Sequence, residues 1–311
     1  MDFSLRSLSQ PVPAVEAAAT EEFYAARPAG RGPECYDDLL AVRAERDGRF
    51  VGSDRAIVDS VRVDGRVVPV RIVEPVGRPI VGVLLHLPGG GFYLSSAVAD
   101  DERNARRADA TGLTVISVDY RLAPECPWPA APDDCLAVAE WLIDHARERF
   151  GTDRLVLGGF SAGATLAAVT LLRLRARGTA VAFGGAVLEA GTYDLTTHSP
   201  SGSAVFDDYF VEAYAGGVAD RSDPEVSPAY GDLRDLPPTL LVVGSDDVVL
   251  ADNLLMAARL SAAGNRVDLR VYPDVPHGFS IHPTPVGRRA AVAVDEWFAE
   301  RMASRHQWGA C

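Results

Sequence analysis

A chain of 311 residues that is 48% hydrophobic has the length and apolar content for one sizeable buried core with a small accessory region. Its net charge of −13 repels nucleic acid and anionic membrane surfaces, and the absence of any lysine removes Schiff-base and Walker-type phosphate chemistry. Cys35, Cys126, Cys135 and Cys311 show no metal spacing, the first residues lack a basic and apolar leader pattern, and no apolar run approaches the roughly 20 residues of a membrane span. The expectation is a cytoplasmic protein with reduced thiols and without metal or cofactor.

Residues 1–50 are rich in alanine and charge at helical spacing, as in "EAAATEEFYAA" and "YDDLLAVRAERDG", and read as helices outside the main sheet. Next, "AIVDSVRV" and "RVVPVRIVEP" flank Asp64-Gly65, a dipeptide suited to a tight hairpin reversal. The pattern then changes to short, nearly continuous apolar runs: "IVGVLLHL", "TVISVDY", "RLVLGGF", "FGGAVLEA", "TLLVVGS" and "VDLRVYP". Strands without polar alternation are buried on both faces, which predicts a mostly parallel sheet covered by helices, an α/β doubly wound architecture. Helical stretches separate the runs, several ending at Gly or in Arg. Residues 195–238 break the alternation with no strand and with aromatics at short-helix spacing, an excursion of the length expected for a lid over a site.

Two segments raise chemistry. "GGFSAGA" places Ser161 in a G-x-S-x-G pattern between a strand and a long helix, where small residues two before and two after the serine permit a sharp turn. A serine hydroxyl needs a neighbouring base at neutral pH, so an acid and a histidine are sought at the ends of later strands. Asp246 and Asp247 close "LVVGSDD", and either carboxylate has the right place; a helix N-cap is the plain alternative for Asp247. His277 in "YPDVPHGF" follows the last strand, with His282 its competitor five residues on. The second segment, "LLHLPGGGFYLSS", sets three glycines behind a strand, which suits a plain turn, a phosphate cradle (weakened by the absence of lysine) or a loop aiming backbone N–H groups at a developing negative charge.

The segments "PGGGFYLSS", "DYRLAPECPWPAAPDD", "GGFSAGA", "SPAYGDLRDLPPTLLVVGSDDVVLAD" and "PHGF", in order between about Ile80 and Phe279, resemble the hormone-sensitive lipase group of α/β-hydrolases, bacterial esterases with an HGGG loop. The resemblance implies an α/β-hydrolase fold with an eight-stranded, mostly parallel sheet and a small helical cap. Residues 1–50 and 195–238 would form the cap, and 51–194 with 239–311 the catalytic core. It implies Ser161 as nucleophile, His277 as general base and then acid, and, from the G-x-x-D spacing after Gly244, Asp247 as the residue orienting His277. Gly90, Gly91 and Ala162 would supply the oxyanion donors.

The pattern departs from the family in three places: Pro88 stands where the loop usually begins with His, Phe160 precedes the serine, and "LEAGTYD" brings Glu189 near the site. Pro88 has no N–H, but its position donates nothing to the oxyanion. In "DYRLAPE", Asp119 and Arg121 read as polar partners fixing a turn near the site. Phe92, Tyr93, Trp128 and Phe160, with Phe206, Tyr209, Phe210 and Tyr214 from the excursion, are candidates for an acyl pocket, although such aromatics also serve plain packing. The expected activity is a serine carboxylesterase acting on short to medium acyl esters, as a monomer or homodimer. An amide or N-acetyl hydrolase, a natural-product deacylase and a non-catalytic ligand-binding protein on this fold are the alternatives.

Overall fold

Strand β1 (Ile57–Val63) pairs antiparallel with β2 (Arg66–Val73) in the computed structural model, which describes residues 8–27, 32–94, 96–196 and 208–303 and only the backbone at 47 and 208–210. Asp64 and Gly65 between them have φ of 49° and 77°, the doubly left-handed reversal whose twist suits a two-residue hairpin. The apolar runs form β3 (Gly82–Leu87), β4 (Leu113–Val118), β5 (Leu155–Phe160), β6 (Phe183–Glu189) and β7 (Thr239–Gly244), all buried at every residue, then the edge strand β8 (Val267–Tyr272). The eight strands lie in the order β1-β2-β4-β3-β5-β6-β7-β8. β2 opposes both neighbours and the remaining pairs are parallel.

Burial on both faces follows from two helical layers. Helices α4 (Ala130–Phe150) and α5 (Ala162–Ala176) cover one face, where Val83, Leu85 and Leu87 of β3 point. Helices α3 (Asp101–Thr111) and α8 (Pro285–Ala303) cover the other, against Leu84, Val115, Val156 and Val187. Helix α7 (Leu250–Ala262) joins β7 to β8. No helix among the described residues is long and apolar enough to cross a membrane.

The N-terminal region does more than form the expected helices α1 (Ala14–Ala25) and α2 (Tyr36–Asp47). Ser9 bridges Val271 in parallel and the Gln10 N–H donates to the Val271 carbonyl at 2.7 Å, so the chain before α1 covers part of the open edge of β8. An exposed strand edge is a template for unwanted pairing, and covering it removes that hazard. Within the excursion the described residues hold helix α6 (Asp208–Ala215) and a short turn at Pro228–Tyr230, tied to the core where the Trp128 N–H donates to the Tyr214 carbonyl at 2.9 Å.

Two groups of buried charge lie among these elements. The His86 Nε2 stands 2.7 Å from the Asp100 carboxylate, which also pairs with Arg103 at 2.8 Å. Arg107, from α3, donates to Asp295 of α8 at 2.8 Å and approaches the Glu189 carboxylate at 3.7 Å. Burial pushes the pKa of His86 below its ordinary 6.5, outweighing the pull of Asp100 in the other direction. The folded protein therefore binds fewer protons than the unfolded chain once pH falls below 6.5, and His86 withdraws stability through that window. Calorimetry at about pH 7.5 and about pH 5.5 should show a lower thermal midpoint in acid, with the difference reduced in His86→Gln. An unchanged difference in that variant would assign the acid sensitivity to other groups.

Candidate active site

Register places the site before any side chain is considered. Leu87 of β3 pairs with Gly159 of β5, and Phe160 pairs with Glu189 of β6, so the chain segments leaving these strands emerge side by side at their carboxyl ends. Between β5 and α5, Ser161 takes φ 52° and ψ −121°, a conformation that a non-glycine residue adopts only under restraint. Its N–H donates to the Glu189 carbonyl at 2.8 Å, and its carbonyl accepts the N–H groups of Ala164 and Thr165. The flanking glycines are required by contact. A Cβ on Gly159 would lie 2.2 Å from the Gly163 carbonyl oxygen, and one on Gly163 would lie 1.9 Å from that of Leu87. Both obstacles are backbone and cannot rotate away.

The structure brings Ser161, His277 and Asp247 into one hydrogen-bonded line. The Ser161 Oγ is 3.0 Å from His277 Nε2, and His277 Nδ1 is 3.0 and 3.1 Å from the two Asp247 oxygens. The Asp247 side chain is fully buried and its Oδ1 also accepts the Val249 N–H at 3.0 Å. An ionised carboxylate only accepts, so Nδ1 carries the proton and Nε2 is left to accept the serine hydroxyl. Asp246 is exposed and accepts the Ser245 hydroxyl instead, which separates the two carboxylates the sequence left level. His282 is occupied elsewhere, its Nδ1 3.0 Å from the Tyr24 hydroxyl of α1.

Beside Ser161, the glycine loop forms a tight turn in which Gly90, Gly91 and Phe92 have φ of 126°, 60° and 63°. The Gly90 carbonyl accepts the N–H groups of Tyr93 and Leu94 at 3.1 and 2.7 Å. No acceptor among the described residues takes the N–H of Gly90, Gly91 or Ala162. Pro88 is held by its carbonyl, which accepts the Tyr120 hydroxyl at 2.7 Å. Asp119 and Arg121, the neighbours of Tyr120, fix turns as expected, through the Ala97 N–H at 3.0 Å and a two-point pairing with Asp134 at 2.9 Å. Among the described residues, no cluster of three or more His, Cys, Asp or Glu side chains is arranged to hold a metal ion.

A family model described as an alpha/beta hydrolase fold matches residues 84–281, a span that contains the glycine loop and all three aligned side chains. The chain belongs to the hormone-sensitive-lipase-like family of α/β-hydrolases. It is 33% identical over 231 residues, 70% of this chain and 72% of the relative, to a Pseudomonas putida protein named ethyl acetate hydrolase. It is 34% identical over 219 residues, 67% of this chain and 72% of the relative, to a Streptomyces hygroscopicus acetyl-hydrolase. Among solved structures, a Pyrobaculum calidifontis esterase superposes with a TM-score of 0.80 at 26% identity, covering 94% of this chain and all of that one.

The aromatics of this α/β-hydrolase are engaged mostly in packing. Phe92, 1% exposed, stacks on Tyr214, 2% exposed, with ring centroids 3.8 Å apart, which joins the glycine loop to α6. Phe160 is wedged between Gly89, whose Cβ would fall 2.5 Å from its ring, and the His277 imidazole 5.5 Å away. Tyr93 is buried, and Trp128 is half-buried with its indole N–H on the Glu225 carbonyl at 3.2 Å. Phe206 lies outside the described residues, as do the side chains of Tyr209 and Phe210. Sequence reasoning missed the anchoring role of the Tyr120 hydroxyl, although the "DYRLAPE" segment around it carried the signal.

Replacement of Gly163 by alanine forces a methyl onto a fixed carbonyl. The variant is expected to lose at least about 1–3 kcal/mol of stability or to displace α5 and with it Ser161. Chemical denaturation reads the first outcome and a serine-directed covalent label the second; wild-type values in both would refute the close approach.

Proposed function

We propose that this protein is a serine carboxylesterase acting on short to medium acyl esters through an acyl-enzyme. The observation that carries this reading is the line from Asp247 through His277 to Ser161, next to a glycine loop in which the N–H groups of Gly90 and Gly91, like that of Ala162, meet no acceptor among the described residues. Ser161 attacks the ester carbonyl as His277 Nε2 takes its proton, and Asp247 holds the imidazolium that forms. The N–H groups of Gly90, Gly91 and Ala162 receive the oxyanion, His277 returns the proton to the departing alcohol, and water then repeats the sequence on the acyl-serine. None of these steps calls on a metal or a cofactor. Residues 1–50 and 195–238 act as the cap that selects the ester. The setting is cytoplasmic and the protein works as a monomer or homodimer on a small ester.

The names of the Pseudomonas and Streptomyces relatives support a small acyl group. The second is named for the acyl group and not for the bond, so amide or natural-product deacylation on the same residues is the second reading, separated by a matched ester and amide pair. The first test is p-nitrophenyl esters from acetate to decanoate. Turnover should be greatest on the shorter esters, fall on the order of 10^6-fold in kcat in Ser161→Ala and about 10^4-fold in Asp247→Asn. Wild-type protein no more active than Ser161→Ala on every ester would end the general-esterase reading.

A further inference from the structure

We infer that Arg43, on α2 of the N-terminal region, is a positioning residue for the oxyanion loop, so that this region contributes to the rate and not only to the choice of ester. The inference rests on the esterase reading above. Three consecutive residues with positive φ, one of them Phe92, do not hold such a turn by local preference. Pro88 has no side-chain donor or acceptor with which to brace it, so the restraint has to come from elsewhere in the fold.

Besides the stacking of Phe92 on Tyr214, it comes from the carbonyls. The Pro88 carbonyl accepts the Tyr120 hydroxyl, the Phe92 carbonyl accepts the Ala123 N–H at 3.0 Å, and the Tyr93 carbonyl accepts Arg43 Nε at 2.8 Å. The same guanidinium donates through Nη2 to the Ala123 carbonyl at 2.6 Å. Arg43 thus grips the loop and also the segment that grips the loop. Glu125 fixes the guanidinium from the far side, at 2.5 Å to Nη1 and 3.1 Å to Nη2, and itself accepts the Tyr36 hydroxyl of α2 at 2.9 Å. The Arg43 side chain is only 18% exposed.

Two physical consequences follow. A planar fork with donors on three nitrogens can serve two carbonyls and a carboxylate together, which a lysine ammonium on one flexible stem cannot reproduce. A guanidinium fixed by hydrogen bonds to Tyr93, Ala123 and Glu125 also keeps the loop and the segment that holds it from shifting when charge develops at the N–H groups. Losing this brace misplaces the donors without deleting them, and displacements of that kind lower rates by about 10- to 100-fold.

The test compares wild type, Arg43→Met and Arg43→Lys on p-nitrophenyl acetate. Alongside turnover, an acetyl-sized trifluoromethyl ketone is titrated, whose serine adduct places an oxyanion among the donors. The expected result is a fall in kcat of about 10- to 100-fold with KM changed less than about threefold, and inhibitor affinity weakened in step with kcat/KM. Arg43→Lys keeps the charge and the stem, decides the matter if the methionine variant does not fold, and is expected to recover little of the loss. A purely structural role would lower the number of titratable active sites and the thermal midpoint while leaving kcat per site and inhibitor affinity at wild-type values, and that result overturns the inference. Wild-type turnover that disappears in Ser161→Ala supports the esterase reading in the same assay, so normal kcat in the Arg43 variants would count against Arg43 alone.

Discussion

The backbone of Ser161 sits where an L-residue is strained by on the order of 1–3 kcal/mol, and the centre of the sheet is organised around keeping it there. Its N–H is taken by Glu189 on the next strand, its carbonyl starts α5, and Gly159 and Gly163 let that helix close onto the end of β3. Without the close approach of Gly163 to Leu87, the glycine loop leaving β3 and the serine leaving β5 would not stand side by side. The parallel register supplies the rest, because β7 and β8 end beside them and deliver Asp247 and His277 from the same rim.

Buried charge reinforces this rim from the opposite helical layer. Arg107 ties α8, through Asp295, to Glu189, the residue whose carbonyl accepts the Ser161 N–H. Removing a charge from water is costly, and here each buried ion has an opposite partner within reach, so the group is tolerated and resists rearrangement. On the loop side the anchors are carbonyls held by Tyr120, Ala123 and Arg43, which come from a turn and from a helix far away in sequence. On the proposed esterase reading, a site that stabilises a transient charge depends on donors that do not move when the charge appears, and both sets of restraints would serve that requirement.

Most of the scaffold could be read residue by residue. Unbroken apolar runs are what a strand needs when helices cover both faces, and each run became a strand in the sheet; Asp64-Gly65 made the reversal its φ freedom suits. Ser161 and His277 were legible because their neighbours constrain them locally, small residues about the serine and a strand end before the histidine. Asp247 was separable from Asp246 only by resemblance, since adjacent carboxylates carry the same local signal; the fold buries one and leaves the other in water. The aromatics were ambiguous for a similar reason. Spacing shows that rings share a face, but not whether that face meets a ligand or another ring, as Phe92 meets Tyr214.

The sequence by itself determined the α/β order of elements, the strand-to-helix turn at Ser161 and the chain order of the hydrogen-bonded line, because each follows from hydrophobic period, steric demand or position next to a strand end. Only the tertiary structure decided that the segment at Ser9 covers part of β8, that the Glu189 carbonyl takes the Ser161 N–H, and that Arg43 hydrogen-bonds the Tyr93 carbonyl after the glycine loop. Those contacts join residues distant in sequence through carbonyl groups that every residue possesses. No side-chain pattern marks which carbonyl will be taken, and only the folded chain chooses among them.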